Sequence, residues 1–101
     1  MALTSKERAK LRVDAHHLEP ALHVGPGGMS PAIVQSLEEA FRTRELVKIQ
    51  LSRNADATPR AAAGALAGAA GAEVVQVIGR TTTLFRENAA LRAKAAARGQ
   101  R

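Results

Sequence analysis

The sequence predicts an α/β fold, a single layered domain in the order α-β-α-β-α-β-β with a mixed four-stranded sheet. Three observations predict it. The chain has 101 residues, which is enough for one core and too few for two. Two helical stretches each open on a hydroxyl residue followed by proline, and they alternate with short apolar runs of strand character. The last two runs are separated by Gly79-Arg80 alone, a hairpin spacing, whereas helices separate the others.

Each element has a local reason. Thr4-Ser5-Lys6-Glu7 is a capping box, in which Thr4 accepts from the Glu7 amide and Glu7 reaches back, so a helix is expected over about 5–15. Its apolar stripe is poor: Leu11, Ala15 and Leu18 align, bordered by Glu7 and Asp14. Pro20 to Val24 is a short strand, broken by Gly25-Pro26-Gly27-Gly28. Ser30 as cap and Pro31 at the first position restart a helix over 31–43, with residues 33, 34, 37, 40 and 41 on its apolar face. Leu46 to Leu51 is a strand with Val47, Ile49 and Leu51 on one face and Lys48 and Gln50 on the other. After a polar loop, Thr58-Pro59 opens a helix over 59–70, with Leu66 its only large side chain and Gly71 its stop. The Gly64/Gly68 spacing predicts close packing of this small-residue helix on the sheet. Val74 to Ile78, nearly apolar on both faces, predicts an interior strand. Thr81 to Arg86 is its hairpin partner. The domain is expected to occupy 1–86. Residues 87–101 form a basic Ala/Arg-rich tail whose composition allows either a helix or disorder.

Composition narrows the function. Of the 46% apolar residues, 22 are alanine, so the core is thin. There is no cysteine, which excludes disulfides and Cys-based zinc sites. No run of about 18 apolar residues is present to span a membrane, and the first residues lack an apolar signal core, so a cytoplasmic location is expected. His16, His17 and His23 do not form a ligand motif, since His16 and His17 diverge on consecutive positions. No nucleophile motif is present either, so neither a metal, a cofactor nor an enzymatic activity is expected.

The net charge is +6. Residues 1–14 carry a net +2, residues 15–85 are neutral, and residues 86–101 carry +4. Such a field favours a polyanionic partner, and nucleic acid is the commonest for a small intracellular domain. A glycine loop between a strand and a helix N-terminus exposes backbone amides to an anion. It is neither a dinucleotide fingerprint, since Ser30 stands where a third glycine belongs, nor a Walker loop, since no Gly-Lys-Ser/Thr follows.

Four blocks of the chain carry a resemblance. Leu11-Arg12 with Ala15-His16-His17-Leu18-Glu19-Pro20, then Val24-Gly25-Pro26-Gly27-Gly28-Met29-Ser30, then Glu45-Leu46-Val47-Lys48-Ile49, then Gly71 through Arg80, in this order, resemble the chloroplast RNA splicing and ribosome maturation (CRM) domain, whose single-domain bacterial members are YhbY-like. The resemblance implies a fold similar to the C-terminal domain of translation initiation factor 3, with a GxxG loop at Gly25 through Gly28. It also implies RNA binding in ribosome assembly on the precursor of the large subunit; plant members act in group II intron splicing. Asp14, Glu19, Thr82 and Thr83 depart from the family pattern, which bears on how the first helix packs and on the basic surface. KH domains also use a GxxG loop, but between two helices, so that likeness is one of mechanism only.

The candidate RNA contacts are Gly25, Pro26, Gly27 and Gly28 for backbone access. Lys6, Lys10 and Arg12 form a basic flank near the loop, Lys48 and Arg80 lie at the sheet edge or its turns, and Arg86 begins the tail. With only two aromatic residues, both Phe, phosphate contacts are expected to dominate over base stacking. The chain is expected to act as a monomer. The alternative from a different class is a protein–protein adaptor on the ribosome, whose basic ends only solubilise it.

Overall fold

The computed structural model describes residues 3–25, 30–55 and 57–99. Four helices and four strands follow in order: α1 (Ser5–Ala15), β1 (Leu22–Val24), α2 (Pro31–Thr43), β2 (Leu46–Leu51), α3 (Pro59–Ala70), β3 (Glu73–Ile78), β4 (Thr81–Phe85) and α4 (Ala89–Gly99). The caps are those the sequence predicts. Thr4 and Glu7 exchange both bonds of the capping box, Ser30 accepts from the Ile33 amide, and Thr58 accepts from the Ala61 amide. Gly71 ends α3 at φ 65°, a left-handed conformation that costs a side-chain-bearing residue about 1 kcal/mol.

The strands lie in the order β1-β2-β4-β3. β1 runs parallel to β2, and β4 is antiparallel to both β2 and β3. The second crossover is therefore split: β4 inserts between β2 and β3. This corrects the expectation that β3 is interior, since β3 is an edge strand. Its two faces are apolar because α3 packs on one and α1 on the other. The central strand is β4, where Thr82 and Thr83 are fully buried and the Thr82 hydroxyl donates to the Gln76 carbonyl. Its threonines tolerate the interior because at least this hydroxyl finds a backbone partner.

One face of the sheet, from Val24, Val47, Ile49, Leu51 and Leu84, packs against α2 and α3. Leu37 and Phe41 of α2 are buried there, and Leu66 of α3 with Ala62, Ala67 and Ala70. The small-residue packing of α3 is thus performed by alanines. Gly64 and Gly68 lie on its exposed outer face, where a Cβ would meet nothing within 4 Å.

α1 lies on the opposite face. Its weak apolar stripe is supplemented by two long-range cationic contacts. The Arg8 guanidinium donates to the Val74 carbonyl, and the Lys48 ammonium donates to the carbonyls of Ala15 (3.2 Å) and Leu18 (3.3 Å). Lys48 satisfies the C-terminal end of α1, where free carbonyls and the helix dipole both favour a cation.

The segment after β4 is helical as far as Gly99, and it is anchored at its start. Asn88 accepts from the Leu91 amide as cap, its own amide donates to Glu45, and its side chain donates to the Phe41 carbonyl. Arg92 pairs with Glu45 at 2.8 Å. Burial alone would raise the Glu45 pKa, but the bonds from Arg92 and Asn88 outweigh it and hold the carboxyl below its ordinary range. Beyond Leu91 the side chains of α4 are exposed. Among the described residues, no helix is long and apolar enough to cross a membrane.

Candidate nucleic-acid interface

The topology gives the sheet two unlike ends. β1 and β2 finish at one end, and there β3 turns into β4. Three connections meet there. The Ser52 amide donates to the Val24 carbonyl (2.8 Å), the Leu51 amide donates to the Arg80 carbonyl (2.7 Å), and the Arg80 guanidinium donates to the Ser52 carbonyl (3.1 Å). These bonds tie the start of the glycine loop, the loop after β2 and the Gly79-Arg80 hairpin into one edge. Gly79 has φ 56°, as the first position of a II′ hairpin turn requires.

Cations gather on this edge. Arg53, Arg60 and Arg80 are exposed, and none of them makes an ion pair among the described residues. α2 and α3 both begin here, because each follows a connection that leaves this end. Neither has an acidic residue in its first turn, and α3 carries Arg60 there instead. An acid at that place stabilises a helix by about 0.3–1 kcal/mol, and a cation opposes the dipole. Among the described residues no acidic side chain sits on this edge. They lie on α1, before β1, in the second half of α2, and where β2 and β3 begin and β4 ends.

The predicted site residues separate on this frame. Gly25 lies at the edge with Arg80; a Cβ on Gly25 would meet nothing within 4 Å and its φ is not positive, so the fold itself places no demand for glycine there. Pro26, Gly27 and Gly28 lie outside the described residues. Lys6 and Lys10 are exposed but not near the loop. The first turn of α1 lines a cavity with Gly71, Glu73 and Phe85 at the other end of the sheet, about 13 Å away along the strands. Lys10 also pairs with Asp14 at 3.4 Å. Arg12 is exposed on the flank of α1 away from that cavity.

Two further predicted contacts are occupied by the fold. Lys48 lies on a central strand rather than an edge, and α1 roofs it. Arg86 donates to both carboxylate oxygens of Glu38 at 2.9 Å and to the Ala70 carbonyl, and it lies 4.8 Å from the Phe41 ring centroid. Its role is to join α2, α3 and the end of β4, so it does not open a free basic tail. The sequence reading missed Arg53, Arg60 and the exposed strand residues His23 and Gln50. The polar loop around Arg53 was visible in the sequence; its meeting with Arg80 depends on pairings between residues far apart in the chain.

Residues 3–86 match the model of the CRS1 / YhbY (CRM) domain. A probable RNA-binding protein of Bacillus subtilis, YqeI, is 36% identical over 86 residues, covering 85% of this chain and 90% of its own. A probable RNA-binding protein of Pseudomonas aeruginosa, PA4753, is 31% identical, with 87% and 85% covered. The solution structure of the hypothetical protein SAV1595 from Staphylococcus aureus superposes with a TM-score of 0.75 at 31% identity, covering 86% of this chain and 91% of that one. The four-stranded mixed sheet, the glycine connection after β1 and these likenesses place the chain in the CRS1 / YhbY (CRM) domain family.

Proposed function

We propose that this protein binds RNA during ribosome assembly, contacting the precursor of the large-subunit ribosomal RNA through its glycine loop (Gly25 to Gly28) and the basic edge beside it. It acts as a monomer in the cytoplasm, and the chemistry is binding rather than catalysis. The observation that carries the reading is the edge itself: three exposed arginines, Arg53, Arg60 and Arg80, stand with two helix N-termini whose first turns hold no acidic residue. An RNA phosphate supplies negative charge, and the open space where a Gly25 side chain would stand allows it close approach. The names of the relatives support RNA as the partner. The resemblance to bacterial YhbY-like proteins supports the large-subunit precursor.

Most of the affinity in such a site comes from phosphate contacts, because Phe41 is buried and Phe85 is partly covered. The test is retardation of large-subunit ribosomal RNA across a salt series. With about five phosphates met, log affinity falls with log salt at a slope of roughly −3 to −4. Gly27→Asp with Gly28→Asp weakens binding without unfolding the chain. A slope near zero, or a loop variant that binds like the parent, contradicts the reading. Sedimentation of a lysate before and after nuclease places the protein on large-subunit precursors or removes it from them.

A further inference from the structure

We infer that the half of the sheet face left open by α1 is a base-contacting platform for single-stranded RNA. The inference rests on the RNA reading above and extends it from phosphates to bases.

The strand registers carry it. His23 pairs with Gln50, Gln50 with Thr81, and Thr81 with Ile78, so these four side chains form one row across all four strands. The row lies on the face opposite α2 and α3, because its neighbours Val24, Ile49, Leu51 and Thr82 alternate to the other side. The next row inward, Lys48 with Thr83 and Gln76, is roofed: Lys48 is bonded to the end of α1 and Thr83 is buried. The outer row is open. His23 and Gln50 are exposed, and Ile78 is 57% exposed, one of the two large apolar side chains so displayed among the described residues.

Its chemistry differs from that of the rim. The row holds an imidazole, an amide, a hydroxyl and an aliphatic chain, with no charge when His23 is neutral. Such groups suit the edges and faces of bases and do little for phosphates. The cations stand around it, with Arg80 and Arg53 on the loop edge and Arg12 on the flank of α1. A strand whose phosphates follow that rim lays its bases inward across the row. Four strands at about 4.8 Å spacing give a width of about 14 Å, room for two or three bases laid across the row. A protein partner would also accept Ile78, but the surrounding cations and the absence of acidic groups among the described residues of this edge complement a polyanion.

Fluorescence anisotropy of the full chain decides the matter, using a single-stranded RNA of about 12 nucleotides and the same backbone with abasic sites through its middle. The abasic strand binds about tenfold more weakly at equal salt, with an unchanged salt slope, because the phosphates are the same. In the His23→Ala/Ile78→Ala variant both strands bind within about twofold of each other. Gln50→Ala, at an exposed position, gives the same narrowing if that double variant fails to fold. Equal affinity of the wild-type chain for both strands, with a steep salt slope, overturns the platform and leaves the RNA reading standing. No salt-sensitive binding to either strand removes both.

Discussion

The two ends of the sheet use their charged side chains differently. At the end where β2 begins, the charges partner one another: Arg86 with Glu38, Arg92 with Glu45 and Glu87, and Glu7 with the amide and hydroxyl of Thr4. They cap α1 and hold α2 and α4 to the body. At the glycine-loop end, Arg53, Arg60 and Arg80 meet no acid among the described residues, and the two helices that begin there have no acidic residue in their first turns. The bond from the Arg80 guanidinium to the Ser52 carbonyl orders the edge without neutralising it. A charge's partners therefore separate cohesion from recognition, whereas its mere presence in the sequence does not.

The comparison can be broken at the cohesive end first. Arg86→Ala removes a two-oxygen ion pair, a carbonyl bond and the contact with Phe41, and leaves Glu38 without this partner. Unfolding in urea registers a loss of about 2 kcal/mol, while RNA affinity of the folded fraction at fixed salt is unchanged. Loss of affinity without loss of stability would mean that Arg86 belongs to the interface after all.

A smaller effect comes from acid. The carboxyls of Glu7 and Glu45 are held below their ordinary value of 4.5, Glu7 mainly by its bonds to the Thr4 backbone and hydroxyl. Their ionised forms therefore favour the folded chain. That contribution is complete above the unfolded value and is lost as pH falls through the lowered folded values. Hydrogen exchange followed downward from neutral pH shows α4 and the first turn of α1 losing protection below about pH 4.5, before β2 and β4 do. Simultaneous loss everywhere would show that these two anchors are not local.

Much of the fold was legible because its signals are local. α2 over 31–43, β2 over 46–51, and the caps Thr4, Ser30, Thr58 and Gly71 follow from neighbours within a few residues. The strand order was not legible, because the rule that apolar strands are interior assumes uniform cover. β3 is apolar as an edge strand because α1 roofs it, and β4 carries threonines at the centre. The site suffered the same way. Lys48 and Arg86 read as free cations, but their partners lie 16 to 48 residues away in the chain. Lys6 and Lys10 read as neighbours of the loop, but α1 begins at the other end of the sheet. Gly25 and Arg80 read as separate candidates, and their meeting follows from turns at strand ends that face the same way, which no local signal in the sequence gives.

The salt dependence of RNA affinity tests the division between the two ends most directly, measured for the parent chain, for Arg53→Ala/Arg80→Ala and for Lys6→Ala/Lys10→Ala. Removing the two loop-end arginines flattens the slope by about 1.4, as the loss of two phosphate contacts on a single strand requires, and costs only the one exposed bond from Arg80 to Ser52 in stability. Removing the two lysines leaves the slope as it is. If the lysine pair flattens it and the arginine pair does not, RNA lies against α1 and the glycine-loop edge is not the interface.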